Sequence, residues 1–457
     1  MSTPQSASMY ESAKKIYPRE IGGRFANLSK IATTMLLGLF YAVPWLMWDG
    51  RQAFLFDLPA RKFYLLGLTL WPQDFPYLAL LLIIAALSLF FFTALAGRLW
   101  CGFACPQTVW TEAFIWIEHF TEGTRSQRMK LDKAPWSLSK FRKKASKQFL
   151  WITFSMWTGF TFVGYFAPIR ELGLDILGFS VGGSTLFWGS FYGFATYGNA
   201  GYMREQVCKY MCPYARFQSA MFDKDTLIIS YDENRGEPRG GRKRSVDRKA
   251  AGLGDCIDCE LCVQVCPTGI DIREGLQNEC IACAACIDAC DSIMDKMNYP
   301  RGLVRYTTEH SLHNETTRVL RPRMFIYAAL LVILCTTLIT SMAMRTPIIL
   351  DVIRDRNTLY RELPNNMIEN IYTIKIINQS NDARAFILSV SGVAGITLDG
   401  IDDAVRVDGG GVMSLPIRAR AHRDSAYGVN EIEFGLAALD DESVKISEDS
   451  RFLGPTP

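Results

Sequence analysis

Thirteen cysteines stand in this 457-residue chain, and twelve of them fall into patterned groups. Residues 256–266 read Cys256-x-x-Cys259-x-x-Cys262-x-x-x-Cys266-Pro267, and residues 280–290 repeat the spacing at Cys280, Cys283, Cys286 and Cys290. In two-cluster bacterial ferredoxins three such thiolates wrap one iron–sulfur cube, and the fourth reaches across to the other. This crossing assigns Cys256, Cys259, Cys262 and Cys290 to one [4Fe–4S] centre, and Cys280, Cys283, Cys286 and Cys266 to a second. Paired C-x-x-C motifs also hold zinc, but eight thiols in two complete runs argue against it. Asp291 follows the second run where Pro267 follows the first, which removes no ligand.

A second motif occurs twice, 107 residues apart: Cys101-Gly-Phe-Ala-Cys105-Pro106 and Cys208-Lys-Tyr-Met-Cys212-Pro213. Each follows an apolar run and precedes an amphipathic stretch, Thr108–Phe120 or Tyr214–Phe222. Thiols at i and i+4 share one helical face if the preceding helix continues that far, and the proline suits the first position of the next helix. Four thiolates then converge at the repeat interface. Soft thiolates favour Cu(I), zinc or iron–sulfur, so Cys101, Cys105, Cys208 and Cys212 are the candidate catalytic and metal-binding residues. A site that takes Cu(II) and stabilises Cu(I) would give reducing clusters an electron sink. A third iron–sulfur centre or a thiol/disulfide relay meets the same spacing. Buried cysteines acting as small hydrophobes account poorly for two identical spacings at equivalent places.

The elements that position these thiols are apolar. The chain is 49% hydrophobic and 21% charged, with a mean hydropathy of +0.08, which excludes disorder. A net charge of +3 argues against nucleic acid as a partner. Five runs approach the ~20 residues that cross a bilayer: Ile31–Trp48, Phe75–Gly97, Gln148–Ala167, Ser184–Met203 and Met324–Met344. The fourth is diluted by Tyr192, Tyr197 and Asn199. No small-residue cleavage site follows the first, so it reads as a membrane helix rather than a signal peptide. Lys14, Lys15, Arg19, Arg24 and Lys30 precede the first run, nine Lys/Arg lie between Arg125 and Lys147 and eight between Lys224 and Lys249, whereas Pro168–Gly183 holds only Arg170. Basic residues stay in the cytoplasm, which puts the N-terminus and both C-x-x-x-C-P motifs inside and the C-terminus outside. The basic stretches 121–147 and 232–250 read as solvated faces or anionic-lipid contacts.

The expected fold is therefore an α-helical membrane bundle of about five spans, with an inserted ferredoxin-like domain and a C-terminal β-sandwich. Its parts are an N-terminal segment (1–30), a four-helix membrane domain (31–222), a basic linker (223–250), the two-cluster domain (251–298), a second linker (299–323), a fifth span (324–345) and the sandwich (346–457). The sandwich is read from period-two apolar runs at Tyr372, Ile374 and Ile376; Phe386, Leu388 and Val390; Met413, Leu415 and Ile417; and Ile432, Phe434 and Leu436. Cys335, Met342 and Met344 read as packing or lipid-facing residues. His310 and His313 have metal-ligand spacing on a polar stretch, while His119 and His422 belong to no constellation. No histidine lies in a proposed span and there is no C-x-x-C-H motif, which disfavours haem. No G-x-G-x-x-G opens a nucleotide-binding unit.

The motif order, from the paired C-x-x-x-C-P motifs to the terminal sandwich, resembles the CcoG/FixG/RdxA proteins, membrane polyferredoxins associated with maturation of cbb(3)-type cytochrome c oxidase. The resemblance spans nearly the whole chain. It implies a bacterial inner-membrane cupric reductase supplying Cu(I) to that oxidase, with the family's C-x-x-x-C-P cysteines at Cys101, Cys105, Cys208 and Cys212. Its two clusters fall on the eight cysteines of 256–290, and its periplasmic immunoglobulin-like domain on the sandwich. Expected partners are the lipid bilayer, a copper chaperone or exporter, oxidase assembly factors and a cytoplasmic electron donor that the sequence leaves unidentified; a homo-oligomer is compatible with the sequence. Two other readings stay open: a quinol-linked electron conduit, and a non-catalytic assembly scaffold.

Overall fold

The computed structural model describes residues 15–246, 248, 251–380, 382–401, 404–441 and 443–456. Lys14, Lys249 and the first fourteen residues lie outside the described set. The first helix, α1 (Arg24–Ala42), starts earlier than the expected run and stops before Trp48. Pro44 is the reason: its ring cannot continue the helical hydrogen bonds, and the chain leaves through a 3₁₀ turn at Val43–Trp45 into a short hairpin pairing Met47–Trp48 with Arg51–Gln52. α2 (Phe75–Ala96) follows, then α3 (Leu99–Phe103), α4 (Pro106–Glu122), α5 (Arg125–Lys133), α6 (Leu138–Val163), α7 (Ile169–Leu177) and α8 (Gly183–Thr196).

Among the described residues three stretches are long and apolar enough to cross a membrane: Arg24–Trp45, Pro72–Ala96 and Pro322–Ala343. The runs expected at 148–167 and 184–203 take other forms. α6 begins with ten residues that include five Lys/Arg, and α8 widens at Tyr197–Met203 into a π-helix that ends at Arg204, whose backbone is left-handed (φ 42°). The two helices nevertheless lie against each other closely: a Cβ on Gly159 would stand 2.1 Å from the Gly189 carbonyl oxygen. Close approach at small residues is how helices pair without a hydrophobic driving force.

α9 (Pro213–Met221), α10 (Glu233–Gly236), α11 (Leu261–Val265), α12 (Ala285–Met297), α13 (Glu309–Leu312) and α14 (Pro322–Ala343) complete the helices. An antiparallel pair, Ile228–Tyr231 with Val304–Thr307, closes the two-cluster segment. Its core contains Ile229, Ile272, Ala284, Ile287 and Met294. Asp288 of α12 accepts from the Ala26 amide at 2.7 Å, so it supplies the N-terminal cap that α1 lacks within its own sequence.

The chain divides into two compact units, residues 1–58 with 78–335 and residues 59–77 with 336–457. In the second, two antiparallel sheets form a sandwich. One runs Thr397–Asp399, Val412–His422, Met367–Asn378, Ile348–Arg354, with Arg361–Leu363 added to Met367–Asn378; the other runs Val405–Val407, Arg384–Ser391, Val429–Ala438, Lys445–Leu453. Tyr372, Ile374, Ile376, Phe386, Ile417, Ile432, Phe434 and Leu436 face its core, while Leu388, Val390, Met413 and Leu415 are only partly buried against it.

Candidate redox site

The two C-x-x-C-x-x-C loops have the same backbone. Asp258 and Glu260 in the first, and Ala282 and Ala284 at the equivalent positions of the second, are all left-handed, with φ between 53° and 62°. A non-glycine residue there costs about 1 kcal/mol or more, and four such residues at matching places mark loops shaped for a purpose rather than for packing. Glu260 and Ala284 open α11 and α12. The loops bound two cavities. Cys256, Cys259, Cys262 and Cys290 line one; Cys266, Cys280, Cys283 and Cys286 line the other, with Cys262 between them. These are the same two sets of four that the crossed spacing groups together. Backbone amides donate to the sulfurs, Ala282 to Cys280, Ala285 to Cys283 and Val304 to Cys290.

Burial pushes the Cys262 and Cys290 thiols up to about 12 and raises those of Cys280, Cys283 and Cys286. The thiols therefore keep their protons until a metal displaces them. Four sulfurs and amide donors around each cavity fit a cubane cluster. The cavities differ in exposure, because Cys259 in the first is exposed while every ligand of the second is half-buried.

The other four thiols sit at chain breaks. Cys101 lies on α3, Cys105 caps α4, Cys208 lies on a π-helical turn, Val207–Met211, and Cys212 caps α9. The preceding helix does not continue through either motif, so the condition for its two thiols to share one helical face is not met. A residue before proline is driven out of the α region, so Cys105 (ψ 130°) and Cys212 (ψ 110°) are extended, and Pro106 and Pro213 each start a new helix. Cys101 and Cys208 nevertheless lie near enough to the other motif thiols to feel their charge. Desolvation chiefly, and the neighbouring thiols, push Cys101 up to about 11 and Cys208 up to about 12, while the Arg98 guanidinium pulls both down. The Cys101 thiol donates to buried Gln218 Oε1 at 3.4 Å. Among the described residues no three His, Cys, Asp or Glu donors are close enough to hold a single ion.

The segments that carry the two thiol sets touch. A Cβ on Gly102 would stand 2.7 Å from the Ala282 carbonyl oxygen and 2.9 Å from that of Ile281, so only glycine lets the first membrane motif meet the Cys280–Cys283 loop. Arg98, buried, donates to the carbonyls of Asn278, Cys280 (3.1 Å) and Ala215 (2.7 Å), joining the end of α2 to that loop and to α9. Tyr306 donates to the Ala282 carbonyl at 2.7 Å. Cys208 and Cys283 line one cleft of about 150 Å³.

Comparison with known proteins places this arrangement. Residues 203–309 match the family model described as a 4Fe-4S dicluster domain, residues 78–122 match a 4Fe-4S binding domain, and residues 338–455 match an IG-like fold at the C-terminal of FixG, putative oxidoreductase. Protein RdxA of Cereibacter sphaeroides is 39% identical over 445 residues, 93% of each chain. The nitrogen fixation protein FixG of Rhizobium meliloti is 36% identical over 427 residues, 85% of this chain and 82% of FixG. The chain belongs to the FixG/RdxA family. A solved FixG-related protein from Vibrio parahaemolyticus is 30% identical and covers 24% of this chain and 98% of its own, with a TM-score of 0.22. This FixG/RdxA member is thus an iron–sulfur membrane protein of electron transfer with two 4Fe–4S clusters and an Ig-like C-terminal domain.

Three residues at the FixG/RdxA site escaped sequence reasoning. Arg98 carried a signal, a cation at the end of an apolar run three residues before Cys101, and Gly102 carried another in its place inside the motif. Gln218 carried none. The basic stretch 121–147 also reads differently in the fold. Arg128, Lys140 and Lys147 are buried rather than solvated. Arg128 and Arg204 each reach Glu118 at 3.0 Å, Lys147 reaches Glu122 at 2.8 Å, and Lys140 donates to the Asp132 and Ala134 carbonyls. Two carboxylates four apart on α4 draw these cations inward, and they hold Glu118 below the usual carboxylate range despite its desolvation. His310 is tied to Asp225 at 2.8 Å, an ion-pair contact rather than a ligand set.

Proposed function

We propose that this protein is a membrane-bound iron–sulfur cupric reductase that supplies Cu(I) for the copper site of a cbb(3)-type cytochrome c oxidase. Cys256, Cys259, Cys262 and Cys290 hold one [4Fe–4S] cluster, and Cys266, Cys280, Cys283 and Cys286 the other. When bound, these clusters supply one-electron storage at low potential. Cys101, Cys105, Cys208 and Cys212 take the substrate, Cu(II), as thiolates and favour the Cu(I) that one electron per ion produces. One observation carries the reading: Gly102, inside the first membrane motif, packs against the Ala282 and Ile281 carbonyls of the loop that bears Cys280 and Cys283. Arg98 offsets the negative charge that thiolates and copper chemistry gather there. In this reading the protein sits in the bacterial inner membrane with its N-terminus and cluster domain in the cytoplasm and its sandwich in the periplasm, and it passes Cu(I) to a chaperone or exporter serving oxidase assembly factors.

The test mixes anaerobic, prereduced protein with Cu(II), following cluster absorbance while a cuprous chelator reports product. Rapid formation of about two Cu(I) per chain, one per reduced cluster, is the expected result. Clusters that stay reduced would overturn the proposal in favour of a quinol conduit or a scaffold. A second reading, a third cluster on the four motif thiols, draws support from the 4Fe-4S description reaching residues 78–122. Iron analysis separates the two, with about eight iron atoms per chain for copper and about twelve for a third cluster.

A further inference from the structure

The basic linker is fastened onto the exposed end of the cluster domain. Its backbone runs alongside the segment that leads into Cys256: the Asp255 amide donates to the Arg235 carbonyl at 2.9 Å, Cys256 to Gly236 at 3.3 Å, Gly254 to Pro238 at 2.9 Å, and Gly240 to Cys256 at 3.3 Å. Arg242 donates to the carbonyls of Cys256 at 3.2 Å and Gly254 at 2.5 Å. Arg242 and Arg248 both lie over the Tyr299 ring, at 5.3 and 4.8 Å. Asp255 is consumed internally by Arg235 and Arg248. Beyond this brace Arg239, Lys243 and Arg244 are exposed, and no carboxylate among the described residues pairs with Lys243 or Arg244. Of the acids nearby, Glu237 faces Arg239 and Tyr231 and Asp258 faces Arg273, leaving Glu260 exposed beside Cys259. The cation-bearing linker is thus tied to Cys256, which lines the same cavity as the exposed Cys259, and the second cavity is the one that meets the membrane motif.

We infer that the face formed by Arg239, Lys243, Arg244 and the Cys256–Glu260 loop docks the electron donor, a small acidic one-electron carrier protein. The inference deepens the proposed function and rests on its placing of clusters at the eight ferredoxin cysteines. Charge complementarity selects the partner: a cationic rim around an exposed redox edge attracts a carrier whose own redox edge is ringed by carboxylates, and speeds its encounter in a salt-dependent way. One electron moves from the reduced carrier to the cluster at Cys256, Cys259, Cys262 and Cys290; the carrier is oxidised, the cluster reduced, and no proton or bond changes hands.

The experiment uses full-length holoprotein in detergent, an acidic plant-type [2Fe–2S] ferredoxin as probe, and the double variant Lys243→Glu with Arg244→Glu. Binding is measured at several salt concentrations, and cluster reduction is followed with reduced ferredoxin and separately with dithionite. Tenfold or greater weakening of ferredoxin binding in the variant, loss of the salt dependence, and unchanged dithionite reduction are expected. Equal binding by wild type and variant would overturn the inference, as would absent ferredoxin binding with retention on vesicles rich in phosphatidylglycerol that the variant loses, which would make the patch a lipid contact. Ferredoxin that docks and reduces the clusters, with no Cu(I) formed from Cu(II), would overturn the copper reading while leaving the docking face in place.

Discussion

The eight cysteines of residues 256–290 and the four of the membrane motifs hold sulfur in different ways. The first set sits on two loops of repeated backbone shape, with strained residues at matching positions, amide donors to sulfur and two cavities lined by the eight thiols, Cys262 facing both. The second set sits at helix breaks before prolines, on four separate elements, and among the described residues neither set brings three donors close enough to hold a single ion. Two loops of one repeated backbone shape suit resident cofactors, whereas thiols at chain breaks suit a metal that enters and leaves. The contact between Gly102 and Ala282 is where the two meet.

That contrast can be broken by experiment. Replacing Cys286 by Ser should remove roughly half of the iron, while replacing Cys101 and Cys105 together should leave iron intact and abolish Cu(I) production; iron analysis beside the chelator assay decides, and iron loss in the second variant would make its thiols cluster ligands. Glu118→Gln should act on the other side of the comparison, loosening the α4 that Cys105 caps by about 3–5 kcal/mol, because Arg128 and Arg204 then lose the carboxylate they share. A large fall in melting temperature with unchanged cluster spectra is the expected reading. Because Glu118 is held below its usual 4.5, its contribution is complete above that pH and fades as pH falls through the depressed value.

Gly102→Val attacks the junction. The added side chain should cost about 1–3 kcal/mol and slow electron passage to copper at least tenfold, with both clusters present; stopped-flow reoxidation at the wild-type rate would show that the junction is not the route. Metal-free Cys101, with its thiol at about 11, should alkylate about tenfold faster per pH unit between 8 and 10, since the thiolate is the nucleophile. A plateau below pH 9, read by mass spectrometry of iodoacetamide adducts, would mean that Arg98 already ionises it. Tyr306→Phe removes one hydrogen bond to the Ala282 carbonyl and should cost only about 1 kcal/mol, seen as a small shift in a chemical melt.

Much of this was legible in the chain. The crossed ligand sets follow from spacing, because the fourth cysteine of each run is too far along the turn to share the first three's cluster. Pro106 and Pro213 announce helix starts, since their missing amide and fixed φ fit that position. The period-two runs announce the sandwich, and Tyr372, Phe434 and Ile417 lie in its core. Other features were hidden. Pro44 ends α1 within an apolar run that hydropathy treats as continuous, and the widening of α8 at Tyr197 leaves no local mark.

What the sequence by itself determined, then, is identity and order: which sulfurs are candidate ligands, where helices begin, and which segments are apolar, because these depend on residue type and on distances of a few positions along the chain. Only the tertiary structure decided that Arg128 and Lys147 are buried against Glu118 and Glu122, that Arg98 joins three elements, and that the membrane motif abuts the Cys280–Cys283 loop. Each of these joins residues separated by tens to hundreds of positions, and a charge or a glycine reads alike in water and in a contact until the fold supplies its neighbour.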